Sequence, residues 1–242
     1  MSLPVSPRVS AIVAALPVPS DTAMTYADIG HDLGHIPLAA LSRHRLLRAI
    51  AVEIQPDAVP KTRSQFAAWE IPADIATRLD LRTGDGFTPL APGEASGALM
   101  AGLGERTMLE VLARTPEVAA RLRWLVCCPP TLESELRPGL AALGWQVATA
   151  AVVVDRGRAY EVLRAIPGPT MPDPDPVKAR WGAELFDAAA IPRDLARAFL
   201  ADAARRHAGA IRAELRSYGP GSGKEALGAK LAVLAEARAR LG

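Results

Sequence analysis

Five short apolar runs, AMTYADI, RAIAVEI, LDLRTG, GALMAG and RWLVCC, alternate along the chain with stretches that read as helices: LAALSRHRLL, PDAVPKTRSQFAAW, ERTMLEVLAR and ESELRPGLAAL. Strands that alternate with helices are joined by crossovers, which keep them parallel and cover both faces of the sheet. Two further runs, WQVATAAVVV and AYEVLRAI, flank Asp155-Arg156-Gly157-Arg158. A turn that short joins antiparallel strands. The expected fold class is therefore α/β: a mostly parallel, mixed sheet closed by an antiparallel hairpin.

Ahead of this unit, Val9, Ile12, Val13 and Leu16 fall at i, i+3, i+4 and i+7, one face of an amphipathic helix that Pro17 and Pro19 end. Arg8 before a short apolar run imitates a secretion signal, but the periodicity reads as a structural helix. After the strand units, PGPTMPDPDPVK is Pro-rich and reads as an extended boundary. Residues 1–166 are thus expected to form the main domain, 167–178 a linker and 179–242 a helical hairpin. The hairpin's two helices, PRDLARAFLADAARRHAGAIRAELRSY and KEALGAKLAVLAEARARL, are separated by GPGSG. Leu227, Leu231, Leu234 and Leu241 recur at near-heptad spacing, which suits a short coiled-coil seam. GPGSGK is not a phosphate-binding P-loop, because Tyr218 stands where the first glycine should be and Glu225 follows the lysine.

Charge is divided unevenly. From Lys178 onward there are 12 Lys and Arg against 7 Asp and Glu, a local balance of +5, which leaves −3 for the preceding part of a chain whose formal net charge is +2. A basic extension on a mildly acidic body suggests a polyanionic partner, with Arg205, Arg206 and Arg212 as candidate contacts, although a solvated helical surface rich in Arg has the same composition. The only cysteines, Cys127 and Cys128, lie inside an apolar run and read as buried packing. With no disulfide framework and no apolar run of membrane-spanning length, the expectation is a cytoplasmic protein.

The loop after the first strand, YADIGHDLGHIPL, carries the chemistry. As a dinucleotide fingerprint it lacks the close-approach glycine, since Asp32 stands between Gly30 and Gly34 and would repel a pyrophosphate. As a metal motif, His31 and His35 are four apart but precede the helix rather than share one, and no third ligand is evident, so no metal is expected. A nucleoside-like ligand without phosphate remains, and S-adenosylmethionine fits. Its amino acid moiety needs a glycine turn, and Asp28 can balance its ammonium group. Glu53, ending the second strand, can accept from ribose hydroxyls. Asp85 in TGDGF, after the third strand, is placed to meet the adenine amino group. The alternative is that these are ordinary cap and turn residues.

ADIGHDLGHIPL, AVEI, TGDGF, MAGLGE and LGWQVATAAVVVDRGRAYEVLRA, taken in order, resemble the bacterial tRNA (adenine-22-N1)-methyltransferase family, over roughly residues 5 to 187. The corresponding family pattern is ADIGSDHAYLP, GEV, GDGL, IAGMGG and a GW…YEI hairpin. The resemblance implies a class I, Rossmann-like methyltransferase fold, S-adenosylmethionine as cofactor, tRNA as partner and a C-terminal helical hairpin that helps hold it. It would place Asp28, Gly30, Asp32 and Gly34 around the methionine moiety, and Glu53 with Ile54 at the ribose. Asp85 and Gly86 would border the adenine, and Ala101, Gly102 and Leu103 would line the floor beneath the methyl group. Arg8 matches a basic position that would meet substrate phosphate or cofactor carboxylate.

Three departures lie at the ends of strands. The family's DHAY is Asp32-Leu33-Gly34-His35, Glu105 stands where GMGG ends in glycine, and QPN becomes Cys128-Pro129-Pro130. They touch the acceptor side rather than the cofactor side. Methylation of adenine N1 uses an in-plane lone pair and demands chiefly placement, while the cationic product favours a nearby carboxylate or carbonyl. His35, Glu105 and Leu103 are the candidates at the reacting centre. Glu105 is equally suited to the first turn of a helix, and His35 to a surface position. Another acceptor on the same scaffold, or a non-catalytic cofactor- or RNA-binding relative, are the competing functional readings.

Overall fold

The computed structural model describes residues 5–18, 21–132, 135–169, 173–217 and 223–242, and side chains among these except at 207–217 and 223–227. The elements before the terminal hairpin are α1 Pro7–Ala15, β1 Met24–Ile29, α2 His35–Arg43, β2 Leu47–Glu53, α3 Ala58–Ala68, α4 Ala73–Ala76, β3 Leu79–Thr83, β4 Gly97–Ala101, α5 Glu105–Arg114, α6 Pro116–Ala119, β5 Leu125–Cys128 and α7 Leu136–Ala142. β6 Trp145–Asp155 and β7 Arg158–Pro167 follow, then α8 Pro176–Trp181, a 3-10 turn Ala183–Phe186, α9 Arg193–Ser217 and α10 Gly223–Leu241.

β1 sits near the centre of one seven-stranded sheet in the order β3-β2-β1-β4-β5-β7-β6. β1 to β5 are mutually parallel, and β7 pairs antiparallel with both β5 and β6. The expected mixed sheet with a terminal hairpin is the one observed. Arg156 and Gly157, at the tip, have φ of 50° and 75°, the left-handed pair that a two-residue hairpin turn requires. Because the chain runs outward from β1 to β3 and returns to β4 on the other side of β1, a crevice opens at the carboxyl ends of β1 and β4.

Several helices differ from the sequence expectation. α2 begins at His35 and ends at Arg43, whereas LAALSRHRLL was expected to carry it as far as Leu47. Gly34, at φ 77°, ends the loop, and Pro37 is tolerated in the first turn, where its missing N–H needs no partner. At the other end, Arg78 donates to the carbonyls of Leu41, His44 and Leu47 at 2.9, 3.0 and 3.1 Å, tying the last turn of the helix to the start of β2. The boundary expected to be extended over 167–178 closes into α8 from Pro176, capped by the Asp175 side chain on the N–H of Val177. α4 and α6 are single turns that no sequence periodicity announced.

Both sheet faces are covered. On one, Ile29, Val52, Met100 and Leu125 meet Met108, Val111 and Leu112 of α5. On the other, Tyr26, Leu99, Trp124 and Val126 meet Ile12, Val13 and Leu16 from the α1 segment and Leu38 and Leu41 of α2. A third core joins the C-terminal helices to the β6–β7 hairpin through Val152, Ala159, Trp181, Phe199, Leu200, Leu234, Ala237 and Leu241. Each fully buried Phe or Leu there contributes about 1.5–3 kcal/mol. Trp181 meets Phe199 edge-on at 6.0 Å, joining α8 to α9 within that core. The seam departs from the leucine series: Leu234, Ala237 and Leu241 are buried, Leu231 is exposed, and the Leu227 side chain lies outside the described residues.

Candidate functional site

β1 delivers Asp28 to the crevice, on the same side of the sheet as Tyr26. Asp28 is 1% exposed, and neither carboxylate oxygen has a hydrogen-bond partner. Burial, and secondarily the charge of Glu53, pushes its pKa up to about 8. A buried polar group without a partner is costly, so a strand end that retains one is shaped for a ligand that supplies the missing donor. His31, in the turn, is also buried with both ring nitrogens unpartnered, and desolvation lowers its pKa.

The turn is built from backbone that other residues resist. Gly30 has φ 76°, and a Cβ there would meet Leu103 Cδ2 at 2.9 Å. Gly34, at φ 77°, has Phe66 Cζ 2.7 Å from the equivalent point. Asp32 adopts φ 51° and its N–H donates to Glu53 Oε2 at 3.4 Å, while its carbonyl accepts from the Thr62 hydroxyl at 3.2 Å. Glu53 Oε1 accepts from the N–H of Ile54 at 2.9 Å. Ile54 leaves 56% of its surface exposed beside that carboxylate, an apolar ledge next to an acceptor.

The loop after β3 carries Asp85, paired with Arg114 from the last turn of α5, and Gly86 at φ 60° packed over Val111. After β4, Ala101 is buried, and Gly102 has φ 98° with its N–H on the Cys128 carbonyl at 3.2 Å. Only Arg8 Nη2 comes as near as 4.0 Å to the point a Cβ would occupy at Gly102. The structure thus brings Asp28, Gly30, Asp32, Glu53, Ile54, Asp85, Gly86, Ala101, Gly102 and Leu103 to one edge of the sheet.

Other candidates sit differently. Glu105 is buried and accepts from the backbone N–H groups of Glu135 and Leu136 at 2.7 and 2.9 Å, where it caps α7. His35 is exposed and rests on Trp69, ring centroids 4.7 Å apart. Arg8 lies over the Tyr160 ring at 4.7 Å and donates to Cys128, facing the rim at Gly102. Arg206 is half-buried, pairs with Asp202, and donates to the carbonyls of Pro130 and Ala159, so it ties α9 to the sheet. Arg205 also pairs with Asp202 but is largely exposed, and the side chain of Arg212 lies outside the described residues, as do Tyr218 and residues 219–222 of GPGSGK. Much of the tail's basic excess is engaged internally: Arg180 and Lys230 pair with Glu135, and Arg240 with Asp175. Burial pushes the Cys127 thiol up to about 12, which leaves it unreactive.

Sequence reasoning missed Arg114. The available signal was its place three residues after Val111 on α5, one helical turn along the same face. Among the described residues, no group of three or more His, Cys, Asp or Glu could hold a metal ion, and no helix is long and apolar enough to cross a membrane.

Comparison with known proteins finds similarity to proteins named as the methyltransferases that the motifs resemble. The tRNA (adenine(22)-N(1))-methyltransferase of Bacillus subtilis is 25% identical over 142 residues, 59% of this chain and 58% of that protein, so the match spans under two thirds of the relative's length. A crystal structure of the B. subtilis m1A22 tRNA methyltransferase superposes with a TM-score of 0.71 at 20% identity, covering 99% of this chain and 98% of that one. A Streptococcus agalactiae protein of the NADB-Rossmann superfamily gives 0.75 at 18% identity, with 98% and 99% covered. The M. capricolum homologue of the B. subtilis enzyme, solved with its cofactor product S-adenosylhomocysteine, gives 0.69 at 12% identity, with 97% and 98% covered. These structures share the fold, and a methyltransferase-domain family matches residues 5–163, from α1 into β7. The match takes in well over half of the chain together with every residue gathered at the crevice, and the protein belongs to that methyltransferase family.

Proposed function

We propose that the chain transfers the methyl group of S-adenosylmethionine to ring nitrogen N1 of an adenine in tRNA. The observation that carries the cofactor part is Asp28: a buried carboxylate with two unpartnered oxygens, beside a glycine turn, at the crevice of a methyltransferase fold. The residues present fit the group. Asp28 would meet the ammonium of the methionine moiety, the Gly30 turn with Asp32 and Gly34 would receive its backbone, and Glu53 with Ile54 would hold the ribose. Asp85 and Gly86 would border the adenine.

The cofactor supplies an electrophilic methyl group on a sulfonium. The chain's own part is placement: Leu103 packs against the Gly30 turn, and Gly102 leaves the floor open beside it. An adenine N1 lone pair requires no prior deprotonation, so a site without a dedicated base at its centre is chemically sufficient. Glu105 is committed to capping α7, and His35 to Trp69, which leaves orientation rather than proton transfer as the work of the described residues.

The acceptor part is supported by the similarity to enzymes named as tRNA methyltransferases and by basic groups near the rim. In this reading residues 1–166 are the catalytic domain, and the hairpin over 179–242 holds RNA through groups such as the exposed Arg205, with Arg212 a further candidate from the sequence and Arg8 at the rim. Labelled S-adenosylmethionine incubated with unmodified tRNA, followed by nucleoside analysis, tests it. Formation of 1-methyladenosine that is lost in Asp28→Ala is the expected result. Absence of transfer with S-adenosylhomocysteine binding intact would move the acceptor elsewhere.

A further inference from the structure

The loop after β3 is gripped from one side by α5. Val111 lies beneath Gly86, 2.9 Å from the point a Cβ would occupy, and Arg114 pairs through Nη1 with Asp85 Oδ2. Residues three apart on a helix project to one side, so a single face of α5 holds two successive residues of the loop. The ion pair is 48% and 46% exposed, and surface pairs of this kind add little stability. Its consequence is orientation. With the guanidinium on Oδ2, Asp85 keeps Oδ1 available, and an ionised carboxylate offers only acceptors.

An acceptor at the base edge discriminates. The exocyclic amine of adenine donates to it, whereas the carbonyl of hypoxanthine would set two acceptors face to face. We infer that Arg114 is a positioning residue that holds Asp85 as a fixed acceptor, so that the cofactor site selects adenine over hypoxanthine. The inference rests on the cofactor reading above.

Calorimetric affinities for S-adenosylhomocysteine and S-inosylhomocysteine test it in the wild type, Arg114→Ala, Arg114→Lys and Asp85→Asn. The wild type should prefer the adenine ligand by about tenfold or more. Arg114→Ala should lower that ratio by about threefold or more, chiefly by weakening the adenine ligand, and Arg114→Lys should recover part of it. Asp85→Asn, whose amide can donate or accept, should bring the ratio close to unity. An unchanged ratio in Arg114→Ala, or equal weakening of both ligands, would overturn the role of Arg114 alone. Failure of the wild type to bind either ligand would overturn the cofactor reading itself, and this inference with it.

Discussion

Asp28 is buried within electrostatic reach of Glu53, and its carboxyl group is pushed up to about 8 by burial first and by the Glu53 charge second. At neutral pH it therefore holds a proton. An ammonium group at Asp28 favours the ionised form, so binding of S-adenosylhomocysteine should release a proton below pH 8. Affinity should rise with pH between 6 and 8, by up to about tenfold per unit. Calorimetry in buffers of differing ionisation enthalpy measures the proton directly. A pH-independent affinity would remove Asp28 from the ligand.

The same shift has a sign for stability. A carboxyl group whose pKa rises on folding, here from 3.8 to about 8, contributes stability that is present below pH about 4 and is lost as pH climbs toward 8. Asp28→Asn cannot ionise. Its melting temperature without ligand should gain on the wild type as pH rises from 5 to about 8, while its affinity for S-adenosylhomocysteine collapses. A melting difference constant across that range would show that the wild-type carboxylate is not held protonated.

Glu105 accepts two backbone N–H groups at the start of α7, at 2.7 and 2.9 Å. Glu105→Ala leaves those donors without their carboxylate partner and should cost about 1–3 kcal/mol in urea denaturation. Binding of S-adenosylhomocysteine should be nearly unchanged. Lost binding at unaltered stability would return Glu105 to the reacting centre.

Arg137 is buried between Glu161, at 2.8 Å, and Glu184, and joins α7 to β7 and the 3-10 turn. Arg137→Ala strands the Glu161 carboxylate in the interior and should cost about 3–5 kcal/mol at pH 8. Burial already raises the Glu161 pKa, with Arg137 opposing the shift, so the deficit should shrink toward pH 5 as Glu161 takes up a proton. Denaturation at both pH values distinguishes this from simple loss of packing, which would not change with pH.

Gly97 begins β4 beneath Trp124, whose Cε2 lies 2.0 Å from the point a Cβ would occupy. The ring is buried, so Gly97→Ala should destabilise by about 1–3 kcal/mol or more. Urea denaturation followed by tryptophan fluorescence reads it, and a neutral substitution would mean that the sheet can separate from the ring.

The alternation of apolar runs with helical periodicity is a local signal, because burial on a helix or in a strand repeats at a fixed spacing. It was enough for the five parallel strands, for the hairpin turning at Arg156-Gly157, and for the face of α1 that buries Ile12 and Val13. The ordered acids Asp28, Glu53 and Asp85 were legible too, since strand ends in this topology fall along one edge.

Pairings between distant segments were not legible. Glu105 meets residues 30 and 31 positions away, Asp85 meets Arg114 across 29, and Arg206 reaches Pro130 across 76. No local period encodes such contacts, because they exist only once packing has brought two elements together. That is why Glu105 could be read either as a catalytic acid or as a helix-terminal one, why Arg206 looked free for RNA, and why Leu231 looked buried. The amino-acid order by itself determined the sheet, its helical cover and the residues along its crevice. Tertiary packing decided which charges remain available there: Glu105 and Arg206 are taken up by long-range partners and have little left to offer a ligand, whereas Asp85 is paired through one oxygen only.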